Sequence, residues 1–278
     1  MEITKYALSP DEAYVNGRIK YIPDDNGVYQ PYEILCFERS AFLIPGVEVE
    51  KKKKIKYKQL SFFGEYFGEE EFEPSERLRA IMDAENRRKS YSRAKNKLFD
   101  ILTCTISFDC FVTLTVSAEH IDRYDYAAVV KKLGQWLDNR VRRSELVYAL
   151  VPELHKDGAI HFHGLMNMGA LKLDRALSPY TGKPLFDDSG REIYNIIDFP
   201  LGFTTVIPLS GDNARIATAK YCYKYITKSG GEKVGGRYYL SGGRVGRPRY
   251  EYCNIDYDSI DSRPLEITDF VKVKKVRF

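Results

Sequence analysis

The segment Glu153-Leu-His-Lys-Asp-Gly-Ala-Ile-His161-Phe162-His163 constrains the fold of this chain more tightly than any other. Side chains alternate faces along a strand, so His161 and His163 project to the same side. Directly opposed residues of an antiparallel hairpin also share a face, so the length of the turn decides whether Glu153 joins them. A two-residue Asp157-Gly158 loop opposes Leu154 to His161 and sends Glu153 to the wrong side. A three-residue loop, Lys156 to Gly158, opposes Glu153 to His161. That loop needs a left-handed residue, and Gly158 tolerates positive φ because it has no Cβ. The sequence therefore predicts strands over 147–153 and 160–166, a three-residue turn, and one carboxylate with two imidazoles on a single face. Such a donor set suits several divalent metals. An H-x-H pair alone reads as two ordinary half-buried strand residues. His155 falls on the same face near the rim, as a surface residue or phosphate neighbour, and His120 reads as structural or exposed.

A second pattern follows at Tyr221-Cys-Tyr-Lys224-Tyr225-Ile-Thr-Lys228. A helix is predicted from about Asp212, its N-cap, to Lys228, with Gly230 and Gly231 as the stop. Tyr221, Lys224, Tyr225 and Lys228 share a face at helical spacing. Ile216, Ala219, Tyr223 and Ile226 form an apolar stripe expected to lie on the sheet, burying Tyr223 and presenting Tyr221 and Tyr225 to the histidines. A phenol with a pKa near 10 attacks poorly without help. A lysine one turn away favours the phenolate, and a cation neutralises charge growing on a phosphate. The product of attack is a phosphotyrosine ester that conserves the bond energy for rejoining. An ordinary amphipathic helix has the same spacing, so the chemistry rests on the tyrosines and histidines together.

The rest of the chain reads as follows. Phe111 to Val116 is a β-branched strand with Val112, Leu114 and Val116 on one face and Phe111, Thr113 and Thr115 on the other. Asp125 to Arg143 is an amphipathic helix with Val130, Leu133, Leu137 and Val141 on its stripe. Phe203 to Pro208 is a further strand, and 169–200 reads as a long irregular loop. Residues 1–97 form an accessory region, with a strand at Tyr32 to Phe37, a lysine cluster at Lys51 to Lys54, Lys56 and Lys58, an acidic aromatic stretch from Gly64 to Glu73, and a helix opening at Pro74-Ser75-Glu76. Residues 98–230 carry the site pattern. Residues 231–278 form a basic and aromatic extension, with Arg237, Arg244, Arg247 and Arg249 among Tyr238, Tyr239, Tyr250 and Tyr252, expected to contact DNA.

The 278-residue chain has a net charge of only +4, so clustering matters more than the total. Further basic runs lie at Arg87 to Lys97 and Lys272 to Arg277; each fits either a polyanion or a solvated face. No apolar run approaches membrane-spanning length, and the N-terminus lacks a secretory pattern. The five scattered cysteines read as free thiols in a reducing cytosol. No G-x-x-x-x-G-K-[ST] occurs, which excludes a recognisable ATP-driven helicase module.

In order and kind, Phe111-Val-Thr-Leu-Thr115, then Glu153…His161-Phe162-His163, then Tyr221-x-x-Lys224-Tyr225-x-x-Lys228 resemble the three motifs of the HUH rolling-circle replication initiators. The resemblance covers roughly residues 98–230, and the paired tyrosines look like those of initiators from small single-stranded-DNA phages and some plasmids. It implies an α+β fold, with a central antiparallel sheet of about five strands flanked by helices in an HUH or RRM-like arrangement. It implies that Glu153, His161 and His163 bind Mg²⁺ or Mn²⁺, that Tyr221 and Tyr225 attack, and that Lys224 and Lys228 assist. Single-tyrosine relatives leave the role of Tyr225 open. The implied activity is a nickase and strand transferase acting on single-stranded DNA or a DNA hairpin at a replication origin. The implied partners are host replication proteins, including a helicase in trans, in the cytoplasm of a bacterial host, with no membrane. HUH transposases share this chemistry. A non-catalytic nucleic-acid-binding domain and a small H-x-H metallohydrolase are readings from other classes, and neither predicts a covalent DNA adduct.

Overall fold

The computed structural model describes residues 4–6, 13–39, 41–47, 76–211, 214–228, 231–262, 265–268 and 271–277. The lysine cluster at 51–58, the stretch 64–73, Pro74, Ser75, the Asp212 cap and Gly230 lie outside them. In chain order the elements are β1 (Lys5–Tyr6), β2 (Tyr14–Val15), β3 (Gly17–Pro23), β4 (Tyr29–Phe37), β5 (Phe42–Leu43), α1 (Glu76–Cys104), β6 (Cys110–Val116) and α2 (Tyr126–Ser144). Next come β7 (Tyr148–Leu154), β8 (Ile160–Met166), β9 (Leu173–Arg175), β10 (Tyr194–Ile196), β11 (Gly202–Pro208) and α3 (Ala214–Lys228). The chain ends with β12 (Leu240–Gly242), β13 (Arg249–Ile255), β14 (Leu265–Thr268) and β15 (Val271–Arg277). They divide into two compact units: residues 1–20, 31–86 and 250–278, and residues 21–30 and 87–249. The boundary expected at 98 falls inside α1, which runs unbroken from Glu76.

The first unit is organised on a six-stranded sheet in the order β1-β13-β3-β4-β15-β14. The terminal basic run becomes β15, antiparallel to β4 with Arg277 opposite Glu33. Its cations are satisfied internally, which corrects the polyanion expectation for them. Lys275 lies 2.9 Å and Arg277 2.8 Å from the Glu33 carboxylate, and Lys274 donates to the Tyr257 carbonyl at 3.0 Å. Burial alone would raise the Glu33 pKa, but the hydrogen bonds and charges of Arg277 and Lys275 outweigh it and hold the group below its ordinary 4.5. A depressed folded-state pKa contributes stability that is present above the unfolded value and is lost as pH falls through the folded one. Urea midpoints of the wild type should therefore drop below pH 4.5, and Glu33→Gln should remove part of that acid dependence; a variant with the full wild-type slope refutes this.

The second unit holds the site. Its sheet has seven strands, all paired antiparallel, in the order β12-β7-β8-β6-β11-β10-β9. The resemblance implied about five. The difference comes from three strands of three residues each: β9 and β10 inside the expected loop at 169–200, and β12 in the C-terminal extension. Period-2 alternation cannot reveal pieces that short. The described residues contain three α-helices, and none is long and apolar enough to cross a membrane.

Two cores sandwich this sheet. On one face Cys110, Val112, Leu114 and Val116 of β6 and Ile160, Phe162 and Met166 of β8 pack on Val129, Leu133 and Leu137 of α2. Asp125 caps α2 by accepting from the Ala128 amide at 3.0 Å. On the other face Ala149, Val151 and Leu165 pack on Leu98, Ile101 and Leu102 of α1 and Ala219, Cys222 and Ile226 of α3. Being covered on both sides, every residue of β8 is buried. Arg215, 4% exposed, fixes the start of α3 by donating to the carbonyls of Thr103 and Pro23 and pairing with Asp25. All five cysteines are buried and free.

Gly164 lies beside His163 on β8, opposite Leu150 of β7. A Cβ there would overlap the Ala149 carbonyl, and a backbone atom cannot rotate away. Gly164→Ala should destabilise the protein by about 3 kcal/mol, as overpacking of a tight core does. Chemical denaturation measures this, and a loss below about 1 kcal/mol would show that the strands part easily.

Candidate active site

The β7–β8 hairpin has the predicted register, with Glu153 opposite His161 and Leu154 opposite Ile160. The loop is Lys156 to Gly158; the Gly158 amide donates to the His155 carbonyl at 2.9 Å, and Gly158 takes φ +85°. On the face turned to α3, Glu153, His161 and His163 converge. Glu153 Oε2 lies 3.1 Å from the Nε2 of both histidines, and those two nitrogens are 3.2 Å apart. These three residues are the group of ligand-type side chains among the described residues that could hold a metal ion.

Neighbours fix each member. Thr113 of β6 pairs with His163 across the sheet, and its Oγ1 lies 3.1 Å from His163 Nδ1. Phe111 stacks at 6.0 Å on one side of the His163 ring, and Tyr225 lies parallel to that ring at 4.2 Å. Lys228 places its ammonium 2.9 Å from Glu153 Oε1 and 4.7 Å from the Tyr225 ring centre. His155 is exposed at the rim, with its ring 3.7 Å from that of His161. His120 is exposed.

The electrostatics follow from burial. Desolvation pulls His161 below its ordinary value, and it pulls His163 down to about 4, reinforced by the neighbouring His161. Both imidazoles are therefore neutral near pH 7 and keep lone pairs to donate. Burial would raise Glu153, but hydrogen bonds from Lys228 and His161 more than offset it and keep the carboxylate ionised. The cluster thus has one negative charge, balanced by Lys228 alone.

Helix α3 lies one step of rotation away from the expected orientation. Its buried line is Arg215, Ala219, Cys222 and Ile226, with Tyr225 beside it, whereas Ile216 and Tyr223 are only half-buried. Tyr223, expected on the sheet, instead packs edge-on to Phe99 at 5.6 Å. The small apolar Cys222 fills the close contact that a phenol cannot.

The two tyrosines therefore differ. Tyr225 is 6% exposed and Tyr221 is 47% exposed. The Tyr225 hydroxyl donates to that of Tyr221 at 2.6 Å, and Phe111 holds the Tyr221 ring edge-on at 5.7 Å. Burial, then the Tyr221 hydrogen bond, pushes the Tyr225 pKa far up. Lys224 is exposed and has no ion pair among the described residues. The roles of Phe111 and Thr113 were not assigned from sequence, although their shared face was visible in the alternation of that strand.

No curated protein and no solved structure shows a significant match to this chain. Residues 109–230, which span β6 to the end of α3, match the family model of replication-associated proteins of the ORF2 type, and the match supports a role in replication.

Proposed function

We propose that this protein nicks and rejoins single-stranded DNA at a replication origin through a phosphotyrosine intermediate, in rolling-circle replication. The observation that carries the reading is the meeting of Glu153, His161 and His163 with the α3 tyrosines, through the 4.2 Å stack of Tyr225 on His163. The substrate is single-stranded origin DNA, presented free or in a hairpin, with host proteins such as a helicase acting in trans.

The donor set fits a divalent cation. Ligand atoms ~2.1 Å from one small ion and ~90–110° apart lie ~3.0–3.4 Å from one another. The three donor atoms here are separated by 3.1, 3.1 and 3.2 Å. Oxygen together with neutral imidazole suits Mg²⁺ or Mn²⁺, as the resemblance implies. When bound, such an ion polarises the scissile phosphate and offsets charge on its oxygens. With the site loaded, both Nε2 atoms must be bare, so His163 keeps its proton on Nδ1 and donates it to Thr113 Oγ1. Lys228 occupies Glu153 Oε1 and leaves Oε2 facing the imidazoles.

Tyr221 is the first attacker in this reading, because it is the accessible phenol and already accepts a hydrogen bond. Its oxygen forms a bond to phosphorus as the bond from phosphorus to the 3′-oxygen breaks. The phenol proton passes to water, and the departing 3′-oxygen takes up a proton from water. The donated Tyr225 hydroxyl stabilises the Tyr221 phenolate while it exists. Attack by a 3′-hydroxyl on the phosphotyrosine reverses the step and rejoins the strand. Lys224 and Lys228 lie on the same helix, and of the two Lys228 is placed to act, through Glu153.

Labelled single-stranded origin DNA and Mn²⁺ should give a slowly migrating adduct on a denaturing gel. Tyr221→Phe should lose it, whereas Tyr225→Phe should still form it, more slowly. A wild type that forms no adduct with any divalent ion sinks the reading. For the outer contact, Thr113→Val should weaken Mn²⁺ binding ~10–100-fold in calorimetry, as loss of a ligand-orienting partner does. Thr113→Ser should restore it; wild-type affinity in Thr113→Val would show that the hydroxyl does not orient His163.

A further inference from the structure

Helices α1 and α3 are one-sided in charge near the site. From Arg87 to Lys97, α1 has six basic residues and no acidic one; α3 has four basic and no acidic residues. The helices join where Tyr91 donates its hydroxyl to the Ile226 carbonyl at 2.9 Å, half a turn before Lys228. The Tyr91 ring lies 5.6 Å from that of Tyr238 at a tilt of 48°. Each ring has an ammonium over it, Lys95 at 4.7 Å from Tyr91 and Lys233 at 5.3 Å from Tyr238. Both tyrosines are half-buried, so their rings are held from beneath and open from above. Gly231, left-handed at φ +90°, lets its segment run close to this pair, since a Cβ there would come within 3.3 Å of the Tyr91 ring. Glu232 is the single acidic residue from Gly231 to Tyr238. The proposed nicking chemistry uses none of these four side chains.

We propose that Tyr91, Tyr238, Lys95 and Lys233 form a track for single-stranded DNA, holding the nucleotides next to the scissile phosphate as the strand passes Lys228. The inference rests on the nicking reading, whose catalytic residues are all different. Two adjacent phenol rings offer stacking surfaces to successive bases, and only an unpaired strand has bases free to take them. The ammonium groups now over the rings are on flexible stems and can move to the flanking phosphates as bases replace them. A duplex would engage only the lysines. An acidic peptide would likewise leave both rings without a partner. The uniform positive charge along α1 and α3 adds attraction for the backbone in both directions from the pair.

The test uses the full chain and fluorescein-labelled oligo(dT), with fluorescence anisotropy measured across a salt series. Lys95→Gln combined with Lys233→Gln should lower the slope of log K against log salt by ~1.4, that is ~0.7 for each lost phosphate contact on a single strand. Tyr238→Leu should weaken binding roughly tenfold at fixed salt and leave the slope unchanged. Lys131→Gln with Lys132→Gln, exposed on α2 across the sheet, should change affinity less than the Lys95 and Lys233 pair does. Wild-type affinity and slope in both the lysine pair and Tyr238→Leu overturn the inference. So does an equal loss of duplex binding, which would mark a general polyanion surface, and so does a wild type that does not bind oligo(dT). Adduct formation on origin DNA is scored separately. If the adduct forms and the variants bind normally, the track falls and the nicking reading stands.

Discussion

The register of one hairpin governs the whole site. Side-chain direction alternates with period two, so a slip of a single residue would turn Glu153 toward the face where Ile160, Phe162 and Met166 pack on α2. A carboxylate placed there would be buried among aliphatic side chains with no cation, at a cost of several kcal/mol. The three-residue loop with Gly158 at φ +85° selects the productive pairing locally. The two cores select it globally, because β8 has aliphatic residues and Phe162 for one face and His161, His163 and Leu165 for the other. Gly164 adds a third constraint, since β7 approaches too closely for any larger residue. Local turn chemistry and long-range packing thus agree, and the three donor atoms need no further rearrangement to meet.

Burial then decides what those groups can do. In water an imidazole spends much of its time protonated near pH 6.5. Here desolvation favours the neutral forms of His161 and His163, while Lys228 and His161 keep Glu153 ionised. The same burial separates the tyrosines. Tyr225, flat against His163, is far from forming a phenolate, and its proton is directed at the oxygen of Tyr221. Two identical side chains four residues apart are thus made unlike by a rotation of the helix that buries one and exposes the other.

How much of this could be read from the chain varies with the physical signal. The hairpin was legible because turn length, glycine and alternation all bear on one parity. The amphipathic helix α2 was legible because its stripe is long; Val129 replaces Val130 at its buried centre, a small shift of phase. Tyr223 was misread because an aromatic was ranked with aliphatics, whereas the close approach of α3 to the sheet favours Cys222. The short strands β9, β10 and β12 were invisible because three residues do not establish a period. The contact between Lys228 and Glu153 joins residues seventy-five apart in sequence, and spacing rules do not reach across such a separation.

Charge gives the clearest case of composition misleading and structure correcting. A net charge of +4 suggests a weak pull on a polyanion. The terminal run from Lys272 to Arg277 looks like the strongest patch, yet Glu33 neutralises two of its cations and the Tyr257 carbonyl holds a third. The second unit has the opposite arrangement. There α1 from Arg87 onward and the whole of α3 present basic groups without a carboxylate between them, and α3 also bears the tyrosines. Potential near a surface depends on the local sign of charge within about one Debye length, ~8–10 Å at moderate salt, not on the total. The helix that supplies the nucleophile therefore also supplies the field that draws a phosphate toward it. That field lowers the cost of a phenolate at Tyr221, because any added negative charge on α3 is surrounded by cations of its own helix.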